Sequence, residues 1–110
     1  MTLDIGNFDS IADETLNRLL DVIDDKLGDR FEVDMENGML TIETDTGGQY
    51  IINKHGPNRQ IWVSSPVSGA SHYQFNEVTR SWVDTRSGES LTLKLSEELS
   101  GLAKVAFSLD

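Results

Sequence analysis

The chain contains no cysteine. That removes disulfides, thiolate zinc sites, cysteine-ligated iron–sulfur clusters and cysteine nucleophiles together. If the protein handles iron or sulfur, its own side chains must do so through oxygen or imidazole. No apolar run approaches the ~18 residues of a membrane span, so no transmembrane segment is expected. Proline is scarce, at two of 110 residues, and aromatics make up 7%. Bases are scarce too, with 9 Lys and Arg against 19 acids, for a net charge of −10. Residues 1–45 carry 13 of those acids and 3 of the bases, so the excess lies in that stretch. The rest of the chain is neutral. Such a surface repels nucleic acid and anionic lipid, and attracts cations or basic protein surfaces. Plain solubility is the bland alternative for any acidic chain.

A hydrophobic fraction of 37% in 110 residues suits one small folded domain, taken as 1–110. The start shows no signal or transit character, so the protein is expected to stay where it is made unless a leader has been removed.

Residues 8–27 carry a helical period. Phe8, Ile11, Ala12, Thr15, Leu16, Leu19, Leu20, Ile23 and Leu27 recur every three or four positions and form one stripe. Asn7 or Asp9 is the expected cap, and Gly28 the expected end. The opposite face holds Asp13, Asn17, Asp21, Asp24 and Asp25. Asp21 faces Asp24 and Asp25 at i,i+3 and i,i+4, where like charges cost about 0.2–0.5 kcal/mol per pair. A helix selected for stability alone would place Lys or Arg there. The tolerated repulsion points to a cation or a basic partner.

From residue 31 the period shortens. Runs at 31–34, 39–44, 49–54, 60–65, 72–75 and 80–84 read as strands. Asn37-Gly38, Thr46-Gly47-Gly48, Gly56-Pro57-Asn58, the stretch from Pro66 to Gly69, Asn76 and Ser87-Gly88 supply turns. Close-set connections imply an antiparallel meander with one buried and one wet face. Residues 90–104 alternate like a strand at first, but Leu91, Leu95, Leu99 and Leu102 keep helical spacing, so helix is expected. The apolar tail 105–109 should pack back. The expected fold is α+β: a two-layer sandwich, with two helices on one face of a sheet of about six strands.

The chemistry is sparse. There is no Gly-x-Ser-x-Gly elbow, P-loop or dinucleotide fingerprint. The helices lack the Glu-x-x-His of di-iron bundles. His55 and His72 read as ordinary surface or strand histidines. The clustered carboxylates suit hard cations such as iron, manganese, magnesium or calcium, held weakly. They equally suit a basic protein, and spacing leaves both open. On the strand at 60–65, Ile61 and Val63 alternate with Gln60, Trp62 and Ser64. If the first pair faces the helices, Trp62 faces outward among amides, a composition typical of protein-binding surfaces. The alternative is Trp62 in the core.

The run Tyr50-Ile-Ile-Asn-Lys-His-Gly-Pro-Asn-Arg-Gln-Ile-Trp-Val-Ser-Ser-Pro-Val-Ser-Gly69, followed by Tyr73, resembles the central signature of the frataxin family. The likeness extends to the acidic first helix, Gly38-Met39-Leu40-Thr41-Ile42, Ser81-Trp82-Val83 and Gly88-Glu89-Ser90-Leu91. The resemblance implies a two-helix, antiparallel-sheet sandwich. It also implies a weakly iron-binding accessory protein of iron–sulfur cluster assembly that docks on a cysteine desulfurase and scaffold complex and modulates sulfur transfer. Iron delivery is part of that implication, and iron storage with ferroxidase activity is the alternative function. Iron, as Fe2+ or Fe3+ and labile, is the implied metal, with no organic cofactor. By resemblance, Asp13, Glu14, Asp21, Asp24, Asp25, Asp29 and Glu32 form the iron and desulfurase ridge. Asn53, Lys54, Pro57, Gln60 and Trp62 form the sheet contact. A monomer is expected, with oligomers dependent on iron. Two departures stand out: His72 replaces a family arginine, and Gly28 interrupts the acidic run. The start looks like a bacterial cytoplasmic member, whereas Ser64-Ser-Pro-Val-Ser-Gly69 looks more like mitochondrial lineages, which would place the protein in the matrix.

Overall fold

The computed structural model describes residues 5–45 and 47–109. Helix α1 (Ile5–Leu27) is followed by β1 (Glu32–Glu36), β2 (Met39–Glu43), β3 (Gln49–His55), β4 (Gln60–Ser65), β5 (Gly69–Asn76), β6 (Ser81–Asp84) and α2 (Leu91–Ala103). The strands lie in chain order in one six-stranded sheet, every neighbour antiparallel. The expected α+β sandwich is the observed one.

Alternation along the strands decides which face is buried. Leu40, Ile42, Tyr50, Ile52, Ile61, Val63, Tyr73, Phe75 and Trp82 all point to the helices and are buried. The apolar stripe of α1, from Phe8 to Leu27, and Leu91, Leu95, Leu99 and Ala103 of α2 complete the core. Helix α1 packs over β1, β2 and β3, and α2 packs against β6. Trp82 lies edge-on to Phe8 and Phe75, with ring centroids 6.1 and 5.2 Å away. Its Nε1–H donates to Thr15 Oγ1 at 2.9 Å.

Several boundaries moved from expectation. Asn7 and Asp9 lie inside α1 rather than capping it. Phe8 is fully buried, so the turn that presents it is already helical. Strand β1 runs two residues further than expected because Met35 and Glu36 pair with Leu40 and Met39 across a two-residue turn. Asn37 and Gly38 both have positive φ there, 52° and 75°, the backbone that an Asn-Gly hairpin turn requires. Strand β5 starts at Gly69 rather than His72, since Gly69 already pairs with Ser65. Arg80 has φ 55° and belongs to the turn before β6. Of the expected Thr46-Gly47-Gly48 turn, Thr46 lies outside the described residues.

Gly28 ends α1 as expected. A Cβ at this position would be driven into the backbone carbonyl oxygen of Asp24. Backbone space, rather than charge, accounts for the break in the acidic run. Helix α2 is capped at its start by Ser90, whose side chain accepts from the Leu93 N–H, and at its end by Lys104 with φ 57°. The tail folds back: Leu109 is buried and its N–H donates to Ser96 Oγ at 2.9 Å.

Glu98 of α2 fastens the helix to the sheet. Tyr50 Oη and Ser65 Oγ both donate to Glu98 Oε1 at 2.7 Å, and Ser68 Oγ donates to Oε2 at 2.7 Å. Ser65 Oγ also accepts from the N–H groups of Val67 and Ser68. The serines of the central signature therefore build a clamp on α2. Burial, then the adjoining Glu98 carboxylate, raise the Tyr50 pKa well above the ordinary tyrosine range.

Candidate functional site: an acidic ridge and an open sheet face

The acids of α1 lie on its solvent side. Asp13, Glu14, Asp21, Asp24 and Asp25 are all exposed, as is Asp29 in the turn that follows. Glu32 is exposed but belongs to the sheet. It opens β1 directly opposite Glu43 of β2. Like charges facing each other across strands destabilise the pairing. Asp34 and Glu36 follow at period two on the same outward face. The ridge thus turns the corner from helix to sheet edge, and it includes Asp34, Glu36 and Glu43. Sequence reasoning missed these three, although the alternation of β1 was the signal that could have found them.

The described residues contain no group of three His, Asp or Glu side chains close enough to hold a metal ion. A resident iron centre does not fit this donor set. What the ridge offers a cation is a line of separated, hydrated carboxylates, suited to loose and exchangeable contact. One of them is already engaged: Asp13 Oδ1 lies 2.9 Å from Lys54 Nζ.

Lys54 separates from its expected companions. Alternation puts Asn53 on the open face and Lys54 on the helix face, where Asp9 and Asp13 of α1 receive it. The hydrogen bond to Asp13 is the largest influence on its ammonium, and the pKa is raised despite an opposing desolvation. Pro57 is exposed in the β3–β4 turn.

The remaining expected residues converge. Trp62 is half-buried on the open face, between the fully buried Ile61 and the nearly buried Val63, which point the other way. The core alternative for Trp62 is therefore set aside. Register puts Asn53 opposite Trp62 on one side and His72 opposite it on the other. Trp62 Nε1–H donates to Gln60 Oε1 at 2.8 Å. The His55 ring stacks on the indole at 3.7 Å with an 8° interplanar angle, and the His72 ring stacks at 4.2 Å and 9°. The two imidazoles come from the strands on either side of β4, so both faces of the indole are covered. Both are strand histidines, as the sequence allowed, and both also stack on Trp62. Only the register of β3, β4 and β5 brings them together.

This ridge and stacked tryptophan sit on a fold shared with known proteins. A model of the frataxin-like domain matches residues 1–105. The chain belongs to the frataxin-like family. The mitochondrial frataxin of Dictyostelium discoideum is 38% identical over 105 residues, 92% of this chain and 54% of that protein. The iron-sulfur cluster assembly protein CyaY of Pseudomonas fluorescens is 32% identical over 112 residues, 100% of this chain and 98% of that protein. The chain thus spans little more than half of the mitochondrial relative and nearly all of the bacterial one, and both expected origins are represented among its relatives. The trimeric frataxin of Saccharomyces cerevisiae, solved in complex with ferrous iron, superposes with a TM-score of 0.78 at 35% identity, covering 86% of each chain. Frataxin from Psychromonas ingrahamii shares the fold, with a TM-score of 0.86 at 24% identity and coverage of 98% and 99%.

Proposed function

We propose that this frataxin-like chain is an accessory protein of iron–sulfur cluster assembly. It docks on a complex of cysteine desulfurase and scaffold, modulates sulfur transfer, and carries iron only loosely as cargo. The observation that carries this reading is the outward Trp62, held by Gln60 and flanked in register by Asn53 and His72 on the face turned away from the buried core. An aromatic anchor held in one orientation by neighbouring amides can carry roughly 2 kcal/mol or more of an interface. The acidic ridge adds long-range attraction for a basic surface and an orientation for the encounter.

Iron storage with ferroxidase activity finds less support. Fast iron oxidation calls for ligands gathered around paired metals, and among the described residues the carboxylates are spread along an exposed ridge. The deciding experiment is desulfurase turnover in a purified assembly system, with and without this protein and with Trp62→Ala. The docking reading expects a change in turnover that the variant abolishes. Equal turnover in all three mixtures, with no complex on co-elution, would sink it.

A further inference from the structure

The His55–Trp62–His72 stack has a property that neither docking nor iron carriage uses. Histidine is the residue type whose charge changes between pH 5 and 8. Here two of them, the only two in the chain, cover opposite faces of one half-buried indole. Protonation acts on the stack in two opposing ways. A single imidazolium is attracted to the indole face. A second one, on the far side of the same indole, is repelled by the first. His55 meets a further obstacle. Its Nδ1 is shielded from solvent and has no hydrogen-bond partner among the described residues. A neutral ring can leave that nitrogen as a bare acceptor, but an imidazolium carries N–H on both nitrogens and strands a donor there.

No carboxylate offsets this from the neighbouring strands. By register, the outward residues around the stack are Asn53 on β3, Gln60 and Ser64 on β4, Ala70 and Gln74 on β5, and Val83 on β6. The outward acids, Glu32, Asp34, Glu36 and Glu43, lie on β1 and β2, with Met39, Asn53 and Trp62 between Glu36 and His72 in the same cross-strand row. Other charged groups nearby in the chain are cations in turns, Arg59 before β4 and Arg86 after β6, together with Glu77 and Arg80 between β5 and β6. Lys54 and Asp84 point to the helix side.

We propose that the stack is a proton-operated latch on the sheet face. With both rings neutral, Trp62 is clamped in one orientation. When the stack takes up protons, the His55 ring leaves it, the indole is freed on one side, and the face presents positive charge. The consequence for docking rests on the functional reading above: the partner selects the clamped, neutral face and binds less well as pH falls from 7.5 to 6.0.

Two measurements decide the proposal separately from docking. The first uses the free protein. Protonated imidazole quenches indole emission, whereas Trp82 lies between Phe8 and Phe75, away from both histidines, and gives a constant background. Tryptophan fluorescence is expected to change across pH 5 to 8, the interval in which histidine changes charge, and to be flat in His55→Gln/His72→Gln. A flat wild-type curve, or an equal titration in the double variant, overturns the latch whatever docking shows. The second measures the dissociation constant for the purified desulfurase–scaffold complex at pH 7.5 and 6.0. The wild type is expected to lose at least threefold and the double variant less than twofold, which also controls for titration of the partner. Docking with equal pH dependence in both proteins overturns the latch and leaves the docking reading intact. No docking by either protein, with the fluorescence titration present, removes the docking reading and leaves the latch as a property of the free face.

Discussion

Lys54 Nζ of β3 lies 2.9 Å from Asp13 Oδ1 and 3.6 Å from Asp9 Oδ1 of α1, and so ties the helix to the sheet at the N-terminal end of the ridge. Its side chain is 28% exposed and each aspartate is 52% exposed, so the bridge is partly screened. Lys54→Met should cost no more than about 1 kcal/mol, read from a urea melt. It should also release two carboxylates and strengthen cation binding at this end of the ridge, measured by iron titration. Unchanged iron binding in Lys54→Met would show that Asp9 and Asp13 take no part in holding the ion.

The central ridge should answer in the opposite sense. Asp21, Asp24 and Asp25 are exposed neighbours on one turn of α1 with no ion-pair partner among the described residues. Changing all three to Asn removes like-charge repulsion worth about 0.2–0.5 kcal/mol per pair, so the fold should gain slightly. Iron binding and docking should both weaken, and wild-type docking should fall as salt rises, because these charges are screened within about 10 Å at 0.1 M salt. Unchanged iron titration and docking in the triple variant would make the ridge a bystander.

Periodicity made most of this architecture legible. The stripe from Phe8 to Leu27 and the alternation of Ile61 and Val63 with Trp62 are local patterns, and each fixes which side of an element is buried. Asn37-Gly38 is local too, since a two-residue hairpin imposes its own backbone. What stayed hidden depends on elements far apart in sequence. Lys54 reads as a companion of Asn53 until α1 is laid across β3. His55 and His72 look unremarkable until two strand registers bring both onto Trp62. Glu98 gains its role only when α2 crosses Tyr50 and Ser65. Thr15 sits in the apolar stripe without apparent cause until Trp82 supplies a donor for its hydroxyl.

The Glu98 clamp makes a prediction about alkaline stability. Burial, reinforced by Glu98, raises the Tyr50 pKa, and burial raises that of Tyr73. Lys54 is raised by its hydrogen bond to Asp13 against its own desolvation. All three hold their protons more tightly folded than unfolded. Their contribution is therefore complete below about pH 10, where the unfolded groups begin to titrate, and is lost as pH rises through the folded pKa values. Urea stability should be level from pH 8 to about 9.5 and then fall. Tyr50→Phe should cost about 1 kcal/mol at pH 8, the scale of one hydrogen bond, and should flatten the fall. A variant that loses stability as steeply as the wild type above pH 10 would show that Tyr50 does not control the alkaline limb.

The two tryptophans test the assignment of faces directly. Trp82 is 5% exposed, wedged between Phe8 and Phe75 with its N–H on Thr15. Trp82→Ala removes a large core side chain and also the N–H that Thr15 Oγ1 accepts, while the Thr15 hydroxyl keeps its bond to the Ile11 carbonyl, so it should cost about 3–5 kcal/mol. Trp62 is half-buried on the open face, touching two imidazoles and the Gln60 amide. Trp62→Ala opens no closed cavity and should cost about 1 kcal/mol or less, the scale of surface changes. Binding to the desulfurase–scaffold complex should rank the two the other way. Trp62→Ala should lose it while remaining folded, and Trp82→Ala should retain it at temperatures where enough of the protein is native. A urea melt of each variant beside a pull-down gives both orders at once. If Trp62→Ala unfolds as readily as Trp82→Ala, the indole supports the fold rather than a partner, and Asn53 and Gln60 lose their main support as interface residues.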